Sequence, residues 1–299
     1  MRKLMVLALV GLAAQLVDGS LGMGYGVTSS TLLVVLAGLT PAAASASVHV
    51  SELGTNLASG ASHWRLGNVD WRVVSRIAGP GAVGAFLGAT VLSHLSTEAA
   101  APVMATILAL LGAYILVRFV VGFRPRITKP IPLRFLAPLG LFAGFVDATG
   151  GGGWGPVATP ALLADGRMEP RKVIGSIDTA EFAVSGAASL GFVIGLGTGG
   201  IDWTFALALL AGGLVAAPLA AYLVKVAPTH LLGIAVGGMI LLTNSRTLLK
   251  NFGAPDPVRY ASYAVIALLT LIGLYVAQRR VWRTVAIAPD QPVDARSNA

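Results

Sequence analysis

"VDGSLGMGYG", residues 17–26, and "VDATGGGGWG", residues 146–155, each set an aspartate and a cluster of glycines inside a strongly apolar segment. The surroundings make this unusual. Of the 299 residues, 55% are hydrophobic and 11% charged, against about 25% charged in ordinary soluble domains. Charge-free runs at 99–117, 182–201, 203–224 and 260–278 approach the roughly 20 residues that cross a bilayer as a helix. No ten-residue alternation of the barrel type occurs, so the composition predicts an all-α polytopic membrane protein.

The two stretches are equivalent points of an internal repeat. At an offset of 129, Val17-Asp18-Gly19 falls on Val146-Asp147-Ala148, Pro41 on Pro170, Ser47 on Ser176 and Glu52 on Glu181. At an offset of 132, Asp70-Trp71 falls on Asp202-Trp203, Gly81 on Gly213 and Thr97 on Thr229. Matches of Asp, Glu, Trp and Pro in order are not produced by apolar low complexity. The repeat predicts a glycine-broken segment and three helices in each half: about 4–39, 41–63, 72–95 and 99–121, then 133–164, 170–196, 202–226 and 229–249. The organisation expected is a first repeat (1–121), a basic linker (122–132), a second repeat (133–250), an extra helix (258–280) and a polar tail (281–299).

Charge placement sets the expected orientation. The stretch "RFVVGFRPRITKPIPLR" (118–134) carries five basic residues and three prolines, the composition of an exposed boundary. With an odd number of crossings per half, fifteen Lys and Arg residues, counted as far as Arg283, collect on the linker's side and five on the other. The positive-inside rule then favours inverted repeats with linker and C-terminus cytoplasmic. Arg2 and Lys3 count against that assignment. The net charge of +8 is spent on topology, since basic residues fall between the apolar runs without interleaved aromatics, and no nucleic-acid partner is expected. There is no cysteine, which removes disulfides, thiolate nucleophiles and cysteine metal sites.

Four consecutive glycines, Gly150 to Gly153, disfavour a helix by about 1 kcal/mol each relative to alanine. Broken backbone survives in a membrane only where protein or water satisfies its amides. Transporter repeats place such breaks at the midplane, with half-helix N-termini aimed at an anion. The glycine runs at 79–89 and 212–221 read instead as surfaces for close helix packing. The expected substrate-binding positions are therefore Gly22, Gly24, Tyr25 and Gly26, then Gly150, Gly151, Gly152, Gly153 and Trp154, with Asn56 and Ser185 from the following helices. Valine at Gly152 or Gly153 is expected to block transport in a folded protein. Asp18 and Asp147 either cap the half-helix that follows or act on ligand and protons; both readings put them in one place.

The helix after each break carries a polar stripe. Ser45, His49, Glu52, Asn56, Ser59 and His63 are spaced by three and four, as are Asp178, Glu181, Ser185 and Ser189. Such a stripe cannot face lipid, so it lines a cavity or an interhelical seam. His49 and Glu52 are expected to titrate rather than to bind metal, because Asp178 occupies the place equivalent to His49. Asp18, Asp147, His49, Glu52, Asp178 and Glu181 are the candidates for proton coupling or capping. No metal site and no cofactor is expected. No activated nucleophile is spaced for an enzyme.

Two four-segment halves, each opening on an acid and a glycine break before a Pro-initiated helix, resemble the TauE/SafE family of sulfite exporters. The likeness covers residues 1 to about 250. It is carried by "GLTPAAASA", "GASHWRLGNVDW" and "GFVDATGGGGWGPVATPALLADGRMEPRKVIGSIDTAEF". It implies export of sulfite, sulfoacetate or related sulfur oxyanions across the bacterial cytoplasmic membrane, coupled to protons. Protons, a small anion and lipid are then the partners. The alternatives are another small anion, or a cation liganded by the buried carboxylates.

Overall fold

The computed structural model describes residues 2–93, 101–122, 130–150 and 152–287. The expected site residue Gly151, the repeat match at Thr97, linker residues 123–129 and tail residues 288–299 lie outside these. Among the described residues the chain is all helix, apart from turns. In order the helices are α1 (Arg2–Leu21), α2 (Tyr25–Ala37), α3 (Pro41–Arg65), α4 (Trp71–Leu92), α5 (Ala101–Gly122) and α6 (Leu133–Gly150). Then come α7 (Trp154–Asp165), α8 (Pro170–Leu196), α9 (Trp203–Val226), α10 (Thr229–Asn251) and α11 (Asp256–Ile287). Six of them (α1, α4, α8, α9, α10 and α11) are long and apolar enough to cross a membrane. The last helix runs to Ile287, into the stretch expected as a polar tail.

Local chemistry explains the punctuation. The first break turns on Gly22 (φ 72°) and Gly24 (φ 122°), the second on Gly152 (φ 131°), dihedrals that only glycine adopts without strain. The half-helices α2 and α7 have 13 and 12 residues. At 1.5 Å per residue each is about 20 Å long, too short to span. Both end on a left-handed glycine, Gly38 and Gly166, the usual helix C-terminus. Thr40 accepts from the Ala43 N–H (3.2 Å) ahead of Pro41, while Asp70 and Asp202 cap α4 and α9 through the Arg72 and Phe205 amides.

The halves interlock by exchange. Helix α1 packs along α9 of the other half, and α6 packs along α4. Gly11 lies on Leu209 as Gly140 lies on Ile77, and Gly19 meets Ala220 as Gly88 meets Ala148. Each contact maps onto its mate by the 129 and 132 offsets. The hydrogen bonds reciprocate too: Ser176 Oγ accepts the Asp70 N–H at 2.8 Å, and Ser47 Oγ accepts the Asp202 N–H at 2.9 Å. The glycine-rich faces of α4 and α9 bring backbone against backbone, Gly84 on Leu141 and Gly212 on Ala8, as small-residue interfaces do.

Helices α3 and α8 form the central pair. Gly60 lies against Thr179 and Leu53 against Gly186, so the two run antiparallel. Asn56 Nδ2 donates to Ser185 Oγ at 3.3 Å. These residues are equivalent in the repeat, 129 positions apart. Outside the bundle, α5 packs on α10 and α10 on α11. Apolar side chains such as Leu57, Ile194, Leu207, Val215 and Leu268 are exposed, which suits a lipid-facing surface. Trp64 and Trp71 stack edge to face (5.9 Å, 85°) at the turn between α3 and α4, where amphipathic rings suit a membrane interface.

Candidate functional centre

The polar stripes of α3 and α8 meet each other. Ser45, His49, Glu52, Asn56, Ser59 and His63 on one side, and Asp178, Glu181, Ser185 and Ser189 on the other, are all buried. The breaks bring Asp18 and Asp147 to the same place, both at most 2% exposed. Five carboxylates are thus buried in one centre, and such groups persist only when paired, protonated or liganded.

Each break aspartate caps the half-helix behind it. One carboxylate oxygen of Asp147, Oδ1, accepts the N–H groups of Gly153 (2.8 Å) and Trp154 (3.0 Å) at the start of α7. Asp18 Oδ1 accepts the Tyr25 N–H at 3.4 Å, a looser version of the same cap. The glycine stretch was expected to present bare amides to a ligand; here those at the start of α7 are occupied by the chain's own carboxylate.

The glycines also bring the two halves into close contact. The two breaks lie on one another. Gly152 abuts the backbone of Gly26 and Val27, Gly155 abuts Gly22 and Met23, and Thr159 Oγ1 donates to the Gly22 carbonyl at 2.7 Å. The space beside Gly152 is filled by backbone, so its lack of a side chain permits contact between the halves. A Cβ on Gly153 would come within 2.9 Å of the Asp147 backbone nitrogen. Of Gly22, Gly24 and Gly26, only Gly24 is not fully buried.

Tyr25 and Trp154, expected at the substrate, are buried and hydrogen-bonded within the fold. The Tyr25 hydroxyl shares a hydrogen bond with Ser51 Oγ (3.1 Å), and the Trp154 indole N–H donates to the Ile177 carbonyl (3.0 Å). Their rings pack at equivalent places, Trp154 on Gly81 and Tyr25 on Gly213.

Along the seam lie two clusters, one on each side of the Asn56–Ser185 pair. In the first, His49 Nδ1 stands 2.8 Å from Glu52 Oε2 and 3.8 Å from Asp147 Oδ2. Ser185 Oγ also donates to Glu52 Oε2 at 3.2 Å. A directed chain results: Asn56 N–H to Ser185, Ser185 O–H to Glu52, with His49 on the same carboxylate oxygen and the cap of α7 beyond it. The imidazole lies over Phe192 at 6.0 Å. The second cluster holds Asp18, Asp178 and Glu181, with one carboxylate oxygen from each within 4.8 Å of the others. Under the repeat Asp18 matches Asp147, Glu181 matches Glu52, and Asp178 matches His49.

His63, at the end of the α3 stripe, is anchored. Its Nε2 lies 3.0 Å from the Gly19 carbonyl and its Nδ1 3.1 Å from Asn68 Nδ2. A carbonyl only accepts and an amide NH2 only donates, so the ring carries one proton, on Nε2. Two polar residues escaped the sequence reading. Asn68 ties the α3–α4 turn to the Ala221 carbonyl at 3.0 Å. Gln15 is fully buried with neither amide atom hydrogen-bonded among the described residues. As the single polar side chain in the run 4–17, three residues before Asp18, it offered a signal that periodicity alone would have caught.

The sulfite exporter TauE/SafE family profile matches residues 7–247. The chain is similar to the probable membrane transporter protein YtnM of Bacillus subtilis (strain 168), at 48% identity over 274 residues, covering 91% of each chain. No solved structure matches it.

Proposed function

The chain belongs to the sulfite exporter TauE/SafE family, and from that premise we propose that it exports a small sulfur oxyanion, sulfite or an organosulfonate such as sulfoacetate, across the bacterial cytoplasmic membrane together with protons. The observation that carries the reading is the pair of α7 amides converging on a single Asp147 oxygen. A helix N-terminus presenting two N–H groups binds any oxyanion, and the carboxylate of Asp147 occupies the position that a sulfite oxygen would take. Anion and aspartate compete for the same donors.

Competition of this kind couples the anion to a proton. His49 bridges Asp147 and Glu52, so proton arrival at this cluster weakens the hold of Asp147 on α7 and lets the substrate take its place. Proton departure restores the cap and expels the anion. Purified protein in proteoliposomes is expected to move sulfite down its gradient, with organosulfonates competing. Transport of metal cations with no anion flux would replace this reading with that of a cation carrier using the same carboxylates.

Such transport needs access from both faces. The antiparallel α3–α8 pair and the contact of Asn56 with its equivalent Ser185 support inverted halves, related by an axis in the membrane plane. Reporters fused after Lys129 are expected to be cytoplasmic and those fused after Pro255 to lie outside. The same location for both would contradict inversion.

A further inference from the structure

We propose that Asp18, Asp178 and Glu181 form a binding site for a hard metal cation, alkali or alkaline-earth, seated between the two halves. The three carboxylate oxygens lie within 4.8 Å of one another, with no Lys or Arg among the described ion pairs of the centre. All-oxygen donor sets of this kind suit Na+, Mg2+ or Ca2+.

Three further observations point to a ligand. Both oxygens of Asp178 and Oδ2 of Asp18 lack a hydrogen-bond donor among the described residues. Ser59 Oγ, fully buried, sits beside Asp178 without a hydrogen bond of good geometry. The Gln15 amide converges with it beside Gly19. One neutral oxygen, Ser59 Oγ, thus stands unbonded beside Asp178, with the unbonded Gln15 amide bordering the same space. His63, the one basic group near Asp178 (3.9 Å), is committed to the Gly19 carbonyl and to Asn68 and adds no charge.

The equivalent cluster explains what is missing. There two carboxylates, Asp147 and Glu52, flank the His49 ring, a side chain that becomes a cation by taking one proton. Here the same two positions, Asp18 and Glu181, flank a third acid. One half carries its own cationisable group, and the other must take its cation from solution. The pair gives the transporter one proton-operated and one ion-operated cluster, on opposite sides of the Asn56–Ser185 contact. This consequence rests on the transporter reading; the binding itself does not.

The test is the melting temperature of the purified full-length protein in detergent, stripped of metals, in choline chloride and without any sulfur anion. Chlorides of Na+, K+, Mg2+ and Ca2+ are added at matched ionic strength and chloride. At least one is expected to raise the melting temperature saturably. Asp178→Asn should abolish that rise. Asp178→His, which recreates the arrangement around His49, should fold and show no cation dependence. Should the Asp178 variants not fold, Ser59→Ala should raise the half-saturating concentration roughly tenfold, the usual cost of a lost outer partner. A wild-type protein indifferent to all four cations, or variants that keep the full shift, overturns the site. Sulfite added separately reports on the anion reading, so either proposal can fail alone.

Discussion

Gly152→Val is expected to yield no correctly assembled protein. Gly152 holds φ 131°, which alone costs a β-branched residue about 1–3 kcal/mol. The larger effect is steric. A Cβ there would overlap the backbone of Gly26 and Val27, and backbone cannot rotate out of the way as a side chain can. Relief requires the breaks to separate, and with them the cap of α7 and the hydrogen bond from Thr159 to Gly22. The sum exceeds about 4 kcal/mol, the range of core disruption, against a total stability on the order of 5–15 kcal/mol. Gly67→Val is the control: its φ is 76° but no atom lies within 4 Å, so the cost is confined to the backbone. Size-exclusion profiles of fluorescent fusions separate the two. A monodisperse, thermally normal Gly152→Val protein would show that the breaks do not depend on contact with each other.

This outcome differs from what the sequence alone suggests, and the difference is instructive. Pro41 and Pro170, Asp70-Trp71 and Asp202-Trp203 mark helix starts through local chemistry, so the elements and the repeat could be read from residue order. The polar stripes were legible for the same reason, because a period of three and four is a property of one helix. What a single helix does not encode is the partner across the seam. Asp18 joins Asp178 and Glu181 only because α1 leaves its own half to lie on α9. Gly152 meets Gly26 only because the breaks cross. The caps had the same character: a carboxylate six or seven residues before an amide could bind it or leave it free, and only the turn at Gly152 brings Asp147 Oδ1 within 3.0 Å of both donors.

Glu52→Gln is expected to bind sulfite and to lose proton coupling. The amide keeps the volume and one oxygen for Ser185, so the seam is retained. It cannot hold a negative charge opposite His49, and the imidazole then loses the nearer of its two carboxylates, leaving Asp147 at 3.8 Å. Without that charge the ring no longer passes a proton between Glu52 and the cap of α7. A fall of roughly a hundredfold in pH-driven flux is expected, the scale of a lost proton-transfer group, while sulfite protection against thermal unfolding persists. Glu181→Gln, in the other cluster, should keep the proton response. A Glu52→Gln protein that still moves protons with sulfite would return Glu52 to a purely structural place in the α3–α8 seam.

Proton movement driven by a sulfite gradient tests the central claim most directly. Proteoliposomes loaded with sulfite and carrying an internal pH indicator, clamped at zero membrane potential, are diluted into sulfite-free buffer. With the wild-type protein the lumen should become alkaline as sulfite and protons leave together, faster than in protein-free vesicles, and Glu52→Gln should abolish the difference. Sulfite efflux through wild-type protein with an unchanged or acidifying lumen would contradict the joint movement of anion and proton through the cap of α7.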